Sequence, residues 1–210
     1  MKKCFVFILI LIVCNISFAN RPKHIQHNRI IKVEGHIMFK GLSLDQNIDS
    51  FTNKLINLGY KRDFKKDTIK HTAYLKGLFA TDSCEICICY TPISKKVYFI
   101  DVMTTPYNDW QSVKDEYVHL KEQFSLKYGK PFICEENSLD VCLNGDRLEM
   151  EALQKPDFKF ESAYNIINGT IILAITKGGD GYPYISMVYG DSVNSKMNDK
   201  EENSKVQDDI

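Results

Sequence analysis

Cys84-Glu85-Ile86-Cys87-Ile88-Cys89 is the one constellation in this chain whose residue types and spacing could do chemistry. Three thiols so close together have distinct uses. As thiolates they bind zinc, and a Cys-x-x-Cys pair can cycle between dithiol and disulfide. A third use is nucleophilic attack, with Cys87 or Cys89 as the thiolate of a hydrolase. The surrounding residues argue against each. The segment alternates as a strand does, so Cys84 points away from Cys87 and Cys89 and three ligands do not converge. A redox pair draws on a helix N-terminus to lower its thiol pKa, and no helix begins here. There is no second Cys-x-x-Cys. Cysteine also packs as a small hydrophobe and is among the most buried residue types. The three are therefore read as structural, and no catalytic, cofactor-binding or metal-ligating residue is assigned.

The other candidates are weaker. Cys134 and Cys142 flank an Asn137-Ser138 turn, and a hairpin there would bring them within disulfide reach, with two free thiols as the alternative. His24 and His27 stand in a polar leader; His71 and His119 are isolated, without the acidic neighbours of a zinc-protease motif. Gly178-Gly179-Asp180-Gly181 joins two strands rather than opening a helix, so it reads as a hairpin turn and not as a phosphate cradle. Glu135-Glu136 and Asp146, Glu149 and Glu151 read as surface charge in an irregular insertion.

The elements that would position these groups follow from periodicity. Residues 30–39 look like a strand. Ile48, Phe51, Leu55 and Leu58 mark one face of a helix, with Asn47 as its cap and Gly59 just past its end. Residues 72–79, 84–91 and 96–104 are β-branched and aromatic runs joined by short turns, the mark of an antiparallel meander. Trp110, Val113, Tyr117, Leu120, Phe124 and Tyr128 then keep helical spacing, with Asn108 or Asp109 to cap and Gly129-Lys130-Pro131 to stop. Residues 131–157 are an insertion with strand fragments near 132–134 and 140–143. Strands return at 158–166, 170–176 and 182–189, and Asn168-Gly169 marks a hairpin between the first two. The polar tail, 191–210, is either disordered or a loosely docked last helix.

Residues 1–19, MKKCFVFILILIVCNISFA, have the form of a secretory signal peptide: Lys2 and Lys3, an apolar run, then small residues at Ser17 and Ala19. Cleavage is expected after Ala19, and Val13 before Cys14 does not fit lipidation. Residues 20–29 read as a flexible leader. The apolar run is too short to span a bilayer, so no mature transmembrane helix is expected. Lys and Arg number 27, as do Asp and Glu, without a clustered basic excess, which argues against nucleic acid as a partner.

The sequence runs helix, glycine, three strands, and then repeats that order across the insertion. The expected fold is α+β, with two helix-plus-antiparallel-sheet units, 30–106 and 107–190, packed as one compact body. Segments including His36-Ile37-Met38-Phe39-Lys40-Gly41-Leu42, Leu75-Lys76-Gly77-Leu78-Phe79-Ala80, Trp110 with Leu120-Lys121-Glu122 and Tyr128-Gly129-Lys130-Pro131, and Asp208-Asp209-Ile210 resemble a family of small secreted proteins from Bacteroides-type bacteria. The resemblance implies export and supplies no activity. The helix-plus-sheet duplication is similar in architecture to β-lactamase-inhibitor-like proteins, a likeness of fold only. Asp67-Thr68-Ile69 and Asp191-Ser192-Val193 match the short pattern that such bacteria O-glycosylate.

These readings converge on an exported, periplasmic or secreted, non-enzymatic envelope protein that binds a protein or small-molecule ligand. The alternatives are a thiol- or carboxylate-dependent periplasmic hydrolase, and a metal-binding protein using Cys84, Cys87 and Cys89.

Overall fold

The computed structural model describes residues 35–136, 145–153, 155 and 158–208. Residues 1–29, which the sequence reads as signal peptide and leader, and residues 140–143 lie outside them, as do His24, His27 and Cys142. Of the strand expected over 30–39, residues 30–34 lie outside the described residues; among the described ones, β1 (Met38–Phe39) pairs with β2 (Leu42–Ser43). Lys40 and Gly41 turn between them at positive φ. A ladder this short reflects the early turn: Gly41 accepts left-handed geometry without strain and sends the chain back after two residues.

α1 (Ile48–Asn57) begins where the Asn47 side chain accepts the Asp49 N–H at 2.9 Å. It ends in a Schellman motif: Gly59, at φ +96°, gives its N–H to Ile56 O, and Tyr60 gives its N–H to Leu55 O. Its apolar stripe of Ile48, Phe51 and Leu55 is buried, each large side chain contributing about 1.5–3 kcal/mol. The short strand β3 (Lys61–Arg62) leads into the meander of β4 (Thr72–Phe79), β5 (Asp82–Tyr90) and β6 (Val97–Thr104).

α2 (Trp110–Tyr128) is capped by Asp109, whose carboxylate takes the N–H of Ser112 at 2.7 Å and its hydroxyl at 2.9 Å. Trp110, Val113, Tyr117, Leu120 and Phe124 are buried, and Gly129 at φ +84° ends the helix. The insertion holds β7 (Ile133–Glu136) and a helix the periodicity did not announce, α3 (Gly145–Ala152). Met150 and the following Leu153 pack against the core. The chain then forms β8 (Phe160–Ile166), β9 (Gly169–Lys177) and β10 (Pro183–Asp191). The tail is helical, α4 (Ser192–Asp208), although its polar composition gives no apolar stripe. It forms because Asp191 caps it and three of its side chains are tied down by polar contacts.

One mainly antiparallel sheet carries the fold, in the order β3-β4-β5-β6-β10-β9-β8-β7, so β6 and β10 meet at its centre. The fold is α+β. Both outer strands are short, which blunts the sheet edges. α1 and α2 share one core with the same sheet face: Leu75, Cys84, Ile86, Ile88, Ile100, Val102, Tyr164, Leu173, Met187 and Tyr189 line it from the strands. Aromatic edges lock the second helix down. Trp110 meets Phe160 at 5.3 Å and Tyr117 meets it at 4.9 Å, while the Tyr117 hydroxyl pairs with Ser162 Oγ at 2.6 Å. Among the described residues no helix is long and apolar enough to cross a membrane.

Candidate functional site

Side chains alternate across a strand, so the residues of β5 that miss the helix-side core belong to the opposite face. Cys84 faces α1 and α2 with Ile86 and Ile88, whereas Cys87 and Cys89 face away. The three thiols are thus divided by the sheet. Strand register places Cys87 in a row running Tyr74, Cys87, Asp101, Val188, Ile172, Ala163 across six strands. Every member is buried and none joins the helix-side core. The next row holds Thr72, Cys89 and Phe99, and on the other side lie Lys76, Glu85, Met103, Ser186, Ala174 and Glu161. This second face is therefore apolar in its middle and charged toward its margins.

Asp101 is the exception at its centre. It is 6 % exposed, on a central strand, and its carboxylate accepts the Ser186 hydroxyl at 2.6 Å. Burial lifts its pKa to about 6, with the Ser186 bond pulling the other way. The acids around it are thiols and phenols. Burial, the Cys87 thiol and the Asp101 charge all push Tyr74 upward, and burial and Asp101 do the same to Tyr184. Cys89 is also raised well above the ordinary thiol range, chiefly by its hydrogen bond with Cys87 and by burial. Cys84 rises to about 11 through burial. A nucleophilic thiolate needs the reverse, a nearby positive charge and access. Among the described residues, no group of three or more His, Cys, Asp and Glu side chains could hold a metal ion.

The remaining sequence candidates scatter. Cys134 is exposed on β7, with Lys121 Nζ 3.1 Å from its Sγ; its candidate partner Cys142 lies outside the described residues. Glu136 pairs with Lys121, and Glu135 with Lys159 at 3.3 Å. His119 is exposed on α2, and the His71 ring lies 5.7 Å from that of Tyr90. The 178–181 turn closes a hairpin between β9 and β10, as its glycines led one to expect. Of the two glycosylation-like triplets, Thr68 is exposed on the loop before β4, whereas Ser192 is half-buried at the start of α4, after the fully buried Asp191. An open groove of about 620 Å³ lies between the start of β5 and the first turns of α2. Its acids are Asp82, Asp115 and Glu116; burial and then Asp82 raise Glu116, and Tyr107 rises to about 12 through burial, Glu116 and Asp82.

Two acids to which sequence reasoning gave no structural role organise the molecule. Asp191 accepts hydrogen bonds from the N–H groups of Ile37, Val193 and Asn194 at 2.9–3.0 Å and pairs with His36 Nδ1 at 3.1 Å. Its signal was available: an Asp directly after an apolar strand is a helix N-cap. Asp101 also left a trace, as the single charged residue inside the apolar run Val97–Thr104. Comparison with family models, with curated proteins and with solved structures finds no match to this chain.

Proposed function

We propose that this is an exported, non-enzymatic binding module that engages a partner polypeptide through the sheet face turned away from α1 and α2. The observation that carries the reading is the accessible end of that face, where Leu78 is 60 % exposed and Met103, Ala174 and Tyr184 are half-buried, next to the buried row from Tyr74 to Ala163. A face built this way is broad rather than concave. Tyr184 gives it an amphipathic ring of the kind enriched in protein interfaces, and Lys76 and Glu85 give it charged points at its margin. A small-molecule site would instead be a closed pocket with convergent polar groups. The hydrolase alternative has less support, since the groups bearing on Cys87 and Cys89 are phenols and a carboxyl rather than a base oriented by a third residue.

Export through the segment 1–19, the kinship with small secreted Bacteroides-type proteins, and a duplication of one helix-plus-meander unit belong to the same proposal. Favouring the duplication, α1 and β3–β6 are followed by α2 and β7–β10, with α3 inserted after β7, and the last strand of each set is at the centre of the sheet.

The test is site-directed photocrosslinking in cells that export the protein. A photoreactive residue at Tyr184 should give one discrete protein adduct, and the same residue at Gln123, exposed on the outer side of α2, should not. No adduct from Tyr184, or equal adducts from both positions, overturns the reading.

A further inference from the structure

The loop between β5 and β6, residues 91–96, turns two consecutive backbone N–H groups outward. Both meet one carboxylate, that of Glu201 on α4. Ile93 N–H reaches Oε2 at 2.7 Å, and Ser94 N–H spans Oε1 and Oε2 at 3.2 and 3.1 Å. The hydroxyls of Thr91 and Ser94 pair beneath at 2.7 Å, and Lys95 stands in the left-handed conformation at φ +58°. Successive N–H groups aimed at one point form an anion-binding concavity. Lys95 and Lys96 add positive charge beside it; Lys96 Nζ is shared with Asp45 at 3.2 Å, and Lys95 Nζ lies over the Tyr90 ring. Burial works against the Glu201 charge, yet the Ser94 and Ile93 bonds hold its carboxyl below the usual range.

Among the described side chains of α4, the polar ties to the rest of the chain are few. Asn194 anchors it through Nδ2 bonds to Val97 O at 2.8 Å and Leu44 O at 3.3 Å. After that, the ties to the loop are Met197, which takes the Ser94 hydroxyl at 3.1 Å, and Glu201. The helix offers no apolar stripe to replace them.

We propose that the 91–96 loop is a carboxylate-binding site which the chain fills with its own Glu201, so that α4 is a strap displaced when a partner polypeptide supplies a carboxylate of its own. The site is separate from the sheet face and stands or falls independently of it. Ile93, 58 % exposed beside the two N–H groups, provides an apolar contact for the incoming chain.

Acetate and inorganic phosphate, at matched ionic strength, are the probes, followed through the amide resonances of Ile93 and Ser94. In E201Q, acetate should shift both amides saturably. A tethered carboxylate acts as a competitor at an effective concentration in the millimolar range or above, so the wild type should need roughly tenfold more acetate. E201D, whose shorter carboxylate reaches the amides less well, should fall between the two and serves if E201Q does not fold. Amides in E201Q (or E201D) that respond no more readily than those of the wild type overturn the proposal. So does phosphate binding E201Q more tightly than acetate, which would make the site one for phosphate.

Discussion

Asp101→Asn should make the protein more stable at neutral pH and leave it nearly unchanged in acid. The carboxyl is buried between strands, and its folded-state pKa of about 6 stands above the ordinary 3.8. A raised carboxyl pKa means that the folded state holds the proton more tightly than the unfolded chain. The associated stability is therefore complete below about pH 4 and is lost as pH rises to about 6, above which the charged form is fixed at its full cost. A difference of about two pKa units, at about 1.4 kcal/mol each, puts that cost near 3 kcal/mol, against about 5–15 kcal/mol for a whole domain. Asparagine has nearly the shape of the protonated acid and can still accept the Ser186 hydroxyl, but it never ionises. Urea unfolding at intervals from pH 4 to 8 should show the two proteins together at pH 4 and Asp101→Asn ahead by about 2–3 kcal/mol at pH 7.5. Other groups titrate too, among them Glu116 and Glu161 upward and Asp63 and Asp109 downward, and taking the difference between the two proteins cancels them. A constant gap at all pH values, or no gap at pH 7.5, would refute the reasoning.

Phe124 is buried against Tyr164 and Tyr189, so Phe124→Ala should cost about 3–5 kcal/mol in denaturant unfolding, while Gln123→Ala on the exposed side should cost under about 1 kcal/mol. Asp191→Ala orphans three N–H groups and removes the α4 cap; a loss of about 3 kcal/mol or more is expected, with faster hydrogen exchange at Ile37 and Asn194. Cys87 and Cys89 are each 2 % exposed, so in the folded protein a thiol reagent should label the exposed Cys134 well before either, with denaturant bringing the rates together; early labelling of Cys87 or Cys89 would return the hydrolase reading to the front.

The parts of the fold that sequence could announce are those with a period. The Trp110–Phe124 stripe and the two meanders repeat every 3.6 or 2 residues because one face of each is pressed against the core, and the structure places them where that logic does. The C-terminal helix has no such period, because its docking is by single polar groups, Asn194, Met197 and Glu201, whose partners lie about a hundred positions away. Nor did α3 announce itself from within an insertion of mixed polarity. Local spacing carries no information about contacts of that range.

The candidate site was legible in the same partial way. The alternation of Cys84-Glu85-Ile86-Cys87-Ile88-Cys89 gave the division of its thiols between two faces, which is enough to deny them a common ligand. It did not reveal what Cys87 and Cys89 face, since that depends on strand order: Asp101 stands beside Cys87 only because β6 pairs with β5, and Val188 and Ser186 join it only because β10 returns from the second meander to the centre. A strand apolar on both sides would ordinarily lie between two covering layers. Here α1 and α2 are both spent on one side. The row on the other side is buried as well, with Asp101 at its centre 6 % exposed, so the strand keeps two covered faces, and the carboxyl whose ionisation weakens the fold is set inside an apolar layer where a neutral residue of the same shape would be more stable.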